Sequence, residues 1–146
     1  MSGSEVAGGV EVARGVNEGA GEACGVWTVT VPTIVEFINL NSRHHWAEKA
    51  RLTRAWRNAA KLFAERADLP KGLERVHITA HIFKTTSRPY DVHNLLPTLK
   101  AAIDGLVDYG LIPDDSNEYL VGPDLRQGGK GTPGIVITIT EIRGPE

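Results

Sequence analysis

The chain has 146 residues, and its 16 basic and 18 acidic side chains give a formal net charge of −2. This length suits one domain with a single modest hydrophobic core. No apolar run approaches the roughly 20 residues that cross a bilayer, so no membrane-spanning segment is expected. The single cysteine, Cys24, excludes an intrachain disulfide and a multi-cysteine zinc site, and a reducing cytoplasm is the expected location.

The net charge is a sum over unlike regions. Residues 1–25 carry four glutamates, one arginine and seven of the 16 glycines, so they are predicted to form a disordered tail before a folded domain over 26–146. Residues 42–75 carry nine basic and four acidic side chains, whereas 76–146 carry six basic and nine acidic ones. The near-neutral total therefore does not argue against a nucleic-acid partner.

The first half of the domain predicts a strand and then a helix. Alternating β-branched residues predict a strand over 26–31, ended by Pro32. Ser42 is predicted to cap a helix that runs to Ala67. Three- and four-residue spacing predicts a buried stripe on this helix. The stripe consists of Trp46, Ala50, Thr53, Trp56, Ala60 and Phe63.

The second half predicts a helix among strands. Alternation over 75–85 predicts a strand, and a helix follows from near Asn94 to Tyr109, closed by Gly110. The remaining predicted elements are a short strand over 117–121, a mobile glycine-rich loop over 122–134 and a last strand over 135–142. This order predicts an α+β fold, with a small mixed β-sheet flanked by two main helices.

Two acidic turns bracket the second helix, one with Asp91 and His93 and one with Asp114 and Asp115. Carboxylate oxygens are the ligands that Mg²⁺ prefers, and Lys100 on the helix between them would add positive charge for a phosphate. A helix of about 16 residues is ~24 Å long, so the turns share a site only if the second returns alongside the helix. By composition alone, both are also ordinary turns.

Three motifs follow one another in this part of the chain. They are Arg88-Pro89-x-Asp91-x-x-Asn94-Leu95, Lys100-x-x-x-Asp104-Gly105-Leu106 and Gly110-Leu111-Ile112-Pro113-Asp114-Asp115-Ser116. Together they resemble the RusA-type Holliday junction resolvases, which are small metal-dependent endodeoxyribonucleases of phage and prophage ancestry. The similarity covers about 27–142, including the strand Trp27–Pro32, Asn41-x-Arg43-x-His45-Trp46 and the strand over 135–141.

The resemblance implies a homodimeric, Mg²⁺-dependent endodeoxyribonuclease with a RusA-like fold, in which Mn²⁺ can replace Mg²⁺. Its substrate would be a four-way (Holliday) junction or other branched DNA in recombination and repair, and it would have no membrane partner. Asp91 and Asp115 match the principal catalytic, metal-binding acids, Asp114 a supporting acid and Lys100 the catalytic lysine. Such an enzyme is expected in the cytoplasm, at the nucleoid during recombination.

Two features depart from the family's pattern, and one is that the stretch from Asn94 to Asp104 is about one helical turn longer. His93 stands where the first motif has its second acid, which makes His93 a candidate metal ligand in its own right. Asn94 matches the asparagine of the motif, and it and Asp104 are expected beside the ligands. The missing carboxylate leaves a second hypothesis open, namely a catalytically impaired protein that keeps the fold and binds branched DNA.

The basic segment and two weaker motifs complete the candidates. The side chains expected to contact DNA are Arg43, His45, Lys49, Arg51, Arg54 and Lys61, with a solvated helix face as the alternative. His77 and His81 share a strand face but lack a third zinc ligand at a recognisable spacing. The glycines around Lys130 lack the spacing of a phosphate-binding loop, so 128–132 is predicted to be a flexible hairpin tip.

Overall fold

A five-stranded mixed sheet and two helices make up the fold in the computed structural model, which describes residues 15–16, 25–43 and 45–143. The elements are β1 (Gly15–Val16), β2 (Gly25–Pro32), α1 (Trp46–Ala67), β3 (Val76–Lys84), α2 (Leu96–Tyr109), β4 (Leu120–Lys130) and β5 (Gly134–Glu141). A 3-10 helix, Val92–Leu95, leads directly into α2. The predicted α+β class, with a mixed sheet and two main helices, is confirmed.

The order of strands in the sheet is β1-β2-β5-β3-β4. β3 and β4 are parallel, and the other neighbouring strands are antiparallel. Parallel neighbours need a crossover connection, because a tight turn cannot return the chain to the same end of the sheet. The 3-10 helix and α2 provide that crossover, which places the acidic turns on either side of α2.

The core lies between one face of the sheet and the two helices. On β3 the alternate residues Val76, Ile78, Ala80 and Ile82 are fully buried, while the residues between them are half-buried. Across the sheet, Ile137 of β5 pairs with Ala80 of β3 on one side and with a buried valine of β2 on the other. The alternation predicted for this strand is therefore confirmed, with the helices on its apolar side.

The predicted start of α1 is wrong. Ser42 closes a turn through its backbone N–H to the Asn39 carbonyl, and the helix begins at Trp46 with His45 as its N-cap. Trp46 is 76% exposed and Ala50 is also exposed, because the first turn of the helix extends beyond the core. The buried residues of the helix are Leu52, Trp56, Ala59, Ala60, Phe63, Ala64 and Ala67.

The predicted mobile loop over 122–134 is also wrong, because most of it belongs to the edge strand β4. Its glycines lie in an irregular pairing with β3. The register of this pairing shifts twice, between His77 and Thr79 and between Ile82 and Phe83. A Cβ at Gly128 would lie 2.6 Å from the Phe83 ring, so a larger residue would displace that side chain. The predicted hairpin tip over 128–132 is wrong as well, because β4 reaches Lys130 and β3 lies between β4 and β5, so these two strands form no hairpin.

The predicted tail falls mainly on residues outside the described ranges. Within 1–25, the described residues are Gly15, Val16 and Gly25, and these pair at the edge of the sheet, with Gly15 opposite Val26. None of the helices in the described ranges is long and apolar enough to cross a membrane.

Thr98 links α2 to the loop before α1. Its buried hydroxyl accepts the Ile38 N–H at 2.7 Å and donates to the Ile38 carbonyl at 3.0 Å. Thr98→Val keeps the shape of the side chain but removes both bonds, leaving two buried backbone groups without this partner. We expect the free energy of unfolding, measured with urea, to fall by about 2–4 kcal/mol.

The matched control for this substitution is Thr138→Val, at a half-buried position of β5. Valine suits a strand, so we expect a change within about 0.5 kcal/mol there. Equal unfolding free energies for Thr98→Val and the wild-type chain would contradict the proposed role of the two hydrogen bonds.

Candidate active site

The first acidic turn forms the cap of the 3-10 helix. The Asp91 carboxylate accepts the backbone N–H of His93 through Oδ1 at 3.0 Å, and Nδ1 of the His93 ring lies 3.5 Å from the same oxygen. The two side chains are 65% and 74% exposed. Asp91 therefore has a local structural role and is also open to a ligand from solvent.

The second acidic turn is held by its own hydrogen bonds. The backbone N–H of Ser116 donates to Oδ1 of Asp114 at 2.7 Å. Hydrogen bonds from the Ser116 side chain and then its backbone hold the pKa of Asp114 below its ordinary value. Asp114 thus stays ionised over a wider pH range and fixes the turn that carries Asp115.

The second turn returns alongside α2. Oδ2 of Asp115 lies 3.7 Å from Nζ of Lys100, although Lys100 precedes the last residue of the helix by nine positions, or about 13.5 Å along its axis. The chain reverses at Gly110, whose φ of 107° is in the left-handed region. The following segment is anchored by the Leu73 N–H, which donates to the Leu111 carbonyl at 2.9 Å.

Lys100 lies between the two acidic turns in the chain and contacts the second of them. Helical side chains lean toward the N-terminus of their helix, which for Lys100 is the end that follows Asp91. Asp91 with His93 and Asp115 with Lys100 nevertheless form two separate pairs. Among the described residues, no group of three or more His, Cys, Asp or Glu side chains is arranged to hold a metal ion.

This donor set fits one kind of metal ion better than others. Mg²⁺ is commonly held by one or two carboxylates, with water and substrate phosphate as the remaining ligands. Asp91 and Asp115 can supply such carboxylates. A closed zinc site built from three or four side chains does not fit the described residues.

Two residues expected beside the ligands take part in other contacts. The negative charge of Asp104 acts on Arg57 of α1, whose guanidinium donates to the two carboxylate oxygens of Asp108 at 2.6 and 2.9 Å. These hydrogen bonds lower the pKa of Asp108 and raise that of Arg57. The Asn94 backbone carbonyl accepts the Leu40 N–H at 2.8 Å, which ties the start of α2 to the loop before α1.

The candidate DNA-contacting side chains are all exposed. Arg51 makes two hydrogen bonds to Glu48, at 2.6 and 3.0 Å, and these raise its pKa. Nδ1 of His45 accepts the Ala47 N–H at 3.1 Å and so caps α1. Their exposure suits contact with DNA phosphates and equally suits a solvated helix face.

Sequence reasoning missed two features that depend on pairing between distant segments. Nε2 of His77 lies 2.7 Å from Oδ2 of Asp124, because β4 runs beside β3. A cavity beside Asp91 is lined by Lys84, Arg88 and Tyr90, among others. No single motif carries either feature, since each combines side chains from separate segments.

Comparison with protein-family models and with curated proteins finds no match for this chain. Function is therefore inferred from the residues and their contacts. Around the N-terminal half of α2 these are an exposed acidic turn, a second acidic turn whose Asp115 is half-buried, and a lysine that contacts Asp115. Such a group can bind a hard cation and attract a phosphate.

Proposed function

We propose that this protein is a Mg²⁺-dependent endonuclease that resolves four-way junctions or other branched DNA. The observation that carries the proposal is the contact between Lys100 and Asp115. This contact joins Asp115, from the third motif, to helix α2, which carries the second motif. The turn with Asp91 leads into the same helix. Phosphodiester hydrolysis benefits from carboxylates that hold a cation and from a lysine that offsets phosphate charge.

In this proposal Asp91 and Asp115 hold the cation, and Asp114 keeps the second turn in place. When bound, the cation supplies Lewis-acid chemistry, activating water and offsetting charge on the phosphodiester. In the free protein Lys100 offsets the charge of Asp115 across 3.7 Å, which is long for a direct hydrogen bond. Lys100 is therefore able to turn toward a phosphate oxygen when a cation takes its place beside Asp115.

The basic segment provides the complementary surface for DNA. Arg43, Lys49, Arg54 and Lys61 are exposed along α1 and the loop before it. Phosphate contacts by such side chains release counterions, so binding to DNA weakens steeply as salt is added. A homodimer would place two sites around a two-fold axis, which matches the symmetry of a four-way junction. Such an enzyme would act at the nucleoid.

The test uses the full chain with a four-way junction labelled on each strand in turn. We expect paired nicks in the junction with Mg²⁺ or Mn²⁺, none with EDTA and none in a linear duplex of the same sequence. Gel-shift affinity for the junction should fall as salt rises. Tight junction binding without nicking in either cation would overturn the enzyme proposal.

A second function is favoured by the contacts that the acids already make. Asp91 caps the 3-10 helix and Asp115 contacts Lys100, while His93 stands where the motif of the family that this chain resembles has an acid. Each contact stabilises the fold without a cation, so the alternative is a junction-binding protein with an impaired metal site. It predicts junction affinity with no nicking, and the absence of junction affinity would contradict both proposals.

A further inference from the structure

We infer that the cavity beside Asp91 binds one nucleotide unit, with its phosphate on the basic side chains and its base on an aromatic ring. The cavity measures about 300 Å³ and opens next to the residues that precede α2. The residues that carry the inference are Phe37, Lys84, Thr85, Thr86, Arg88 and Tyr90. That the nucleotide is part of a DNA strand rests on the proposed function, whereas the ability of the cavity to bind a nucleotide does not.

The charges around the cavity select an anion. Lys84 and Arg88 contribute two positive charges, Thr85 and Thr86 contribute two hydroxyl groups, and none of the described residues that line this cavity is acidic. Ammonium and guanidinium groups make charge-assisted hydrogen bonds to phosphate, and hydroxyl groups can donate to its remaining oxygens. The group that these side chains bind is therefore a phosphate rather than a cation.

The aromatic residues of the cavity suit a flat ring. Nζ of Lys84 lies 3.9 Å from the centroid of the Tyr90 ring, and Phe37 stacks on the buried Trp56 at 5.6 Å with an interplanar angle of 10°. Lys84 covers one face of the Tyr90 ring and Trp56 one face of the Phe37 ring, so a nucleobase would stack on the opposite face of either ring, with little loss of side-chain freedom. Burial raises the pKa of the Tyr90 hydroxyl, so it adds no negative charge near the phosphate.

Hydrogen bonds between separate segments hold the walls of the cavity. Nε2 of Gln127 donates to the Tyr90 carbonyl at 3.0 Å, and the Gly131 N–H donates to the Lys84 carbonyl at 2.8 Å. The first bond fixes the residues before α2 against β4, and the second fixes the chain after β4 against the end of β3, so the cavity is formed before a ligand arrives. Its volume is near the lower end of the about 300–1,000 Å³ typical of ligand pockets, which suits a single nucleotide.

The position of the cavity connects it with the proposed site. Tyr90 lines it and directly precedes Asp91 in the chain. A nucleotide seated there would lie beside the first acidic turn, where it would fix the position of the strand to be cut. The same phosphate chemistry would also accept a free nucleotide, so the two sources have to be separated by experiment.

The test is an anisotropy titration of the full chain with fluorescently labelled pentathymidylate, without divalent cations. We expect Lys84→Met and Arg88→Gln each to weaken binding by about tenfold, the loss of one charge-assisted hydrogen bond. The matched control is Lys71→Met, because Nζ of Lys71 lies 4.7 Å from the ring of Tyr109 outside the cavity. That control should bind within about twofold of the wild-type chain.

Amide NMR then separates the two sources. Shifts at Thr85 and Thr86 on adding thymidine monophosphate support a site that also takes free nucleotides, and shifts with pentathymidylate alone support a site for DNA strands. Thermal unfolding verifies that each variant folds. Thr85→Val, at an exposed position, removes one hydroxyl group of the cavity and is a further variant for the binding titration.

Equal affinities for the wild-type chain, Lys84→Met and Arg88→Gln would overturn the cavity proposal, even if the wild-type chain nicks junctions. Pentathymidylate binding that depends on Lys84 and Arg88 supports the cavity even if no junction is ever nicked. The two proposals can therefore fail separately.

Discussion

Replacing Asp115 by asparagine is expected to reduce Mg²⁺-dependent nicking of a four-way junction by about 100-fold or more. Asparagine keeps the size of the side chain but loses the negative charge, both as a cation ligand and as the partner of Lys100. Even groups that only support metal ligands cost about 10–100-fold in metal affinity or activity when removed, so losing a ligand should cost at least as much. The initial rate of nicking under single-turnover conditions measures the effect.

Glu118→Gln is the matched control for Asp115→Asn. Glu118 is an exposed acid three positions later in the same turn region, so its substitution removes an equal charge without altering a proposed ligand. We expect nicking within about twofold of wild type for this variant, and junction affinity near the wild-type value for both. An Asp115→Asn protein that nicks at the wild-type rate would contradict the role given to this carboxylate.

Replacing Gly105 by alanine is expected to destabilise the protein by about 2–3 kcal/mol, although alanine favours helix. A Cβ at this position would lie 2.1 Å from the Arg57 carbonyl oxygen and 2.9 Å from Cβ of Ala60. The gain in helix propensity is about 1 kcal/mol, whereas overpacking usually costs about 1–3 kcal/mol and here, against backbone, about 3–4 kcal/mol. Steric conflict therefore outweighs propensity, because α1 would have to move away from α2.

Urea unfolding followed by circular dichroism tests this expectation. Gly131→Ala is the control, since a Cβ there would lie 3.4 Å from the Phe83 ring, an ordinary contact, and should change stability by less than about 0.5 kcal/mol. A Gly105→Ala protein as stable as wild type would show that the two helices separate at little cost.

The parts of the fold that depend on local sequence could be predicted. The alternation on β3 and the glycine after α2 act within a few residues, so pattern and cap chemistry identify both. The first turn of α1 and strand β4 could not be predicted in the same way. Trp46 is exposed because no distant segment among the described residues covers it, and β4 forms because β3, more than 30 residues earlier, pairs with it.

In the candidate site, too, the features set by local sequence could be predicted and those set by distant segments could not. Asp91, Asp114 and Asp115 occur in turns that the sequence identifies. A shared site requires the second turn to return alongside α2, and the contact between Asp115 and Lys100 meets this requirement. The absence of a three-ligand group among the described residues was not predictable, because it depends on where side chains from different elements point. The cavity beside Asp91 likewise combines Phe37 with residues that follow β3.

The irregular pairing of β4 affects how copies of the chain can associate. β4 is the outermost strand on its side of the sheet, and its register shifts, glycines and charged Arg126 and Lys130 make its outer edge uneven. Edges of this kind resist the addition of another strand, since a continuous ladder needs a regular row of backbone groups. A two-fold assembly of this protein would therefore bring surfaces together without extending one continuous sheet across β4.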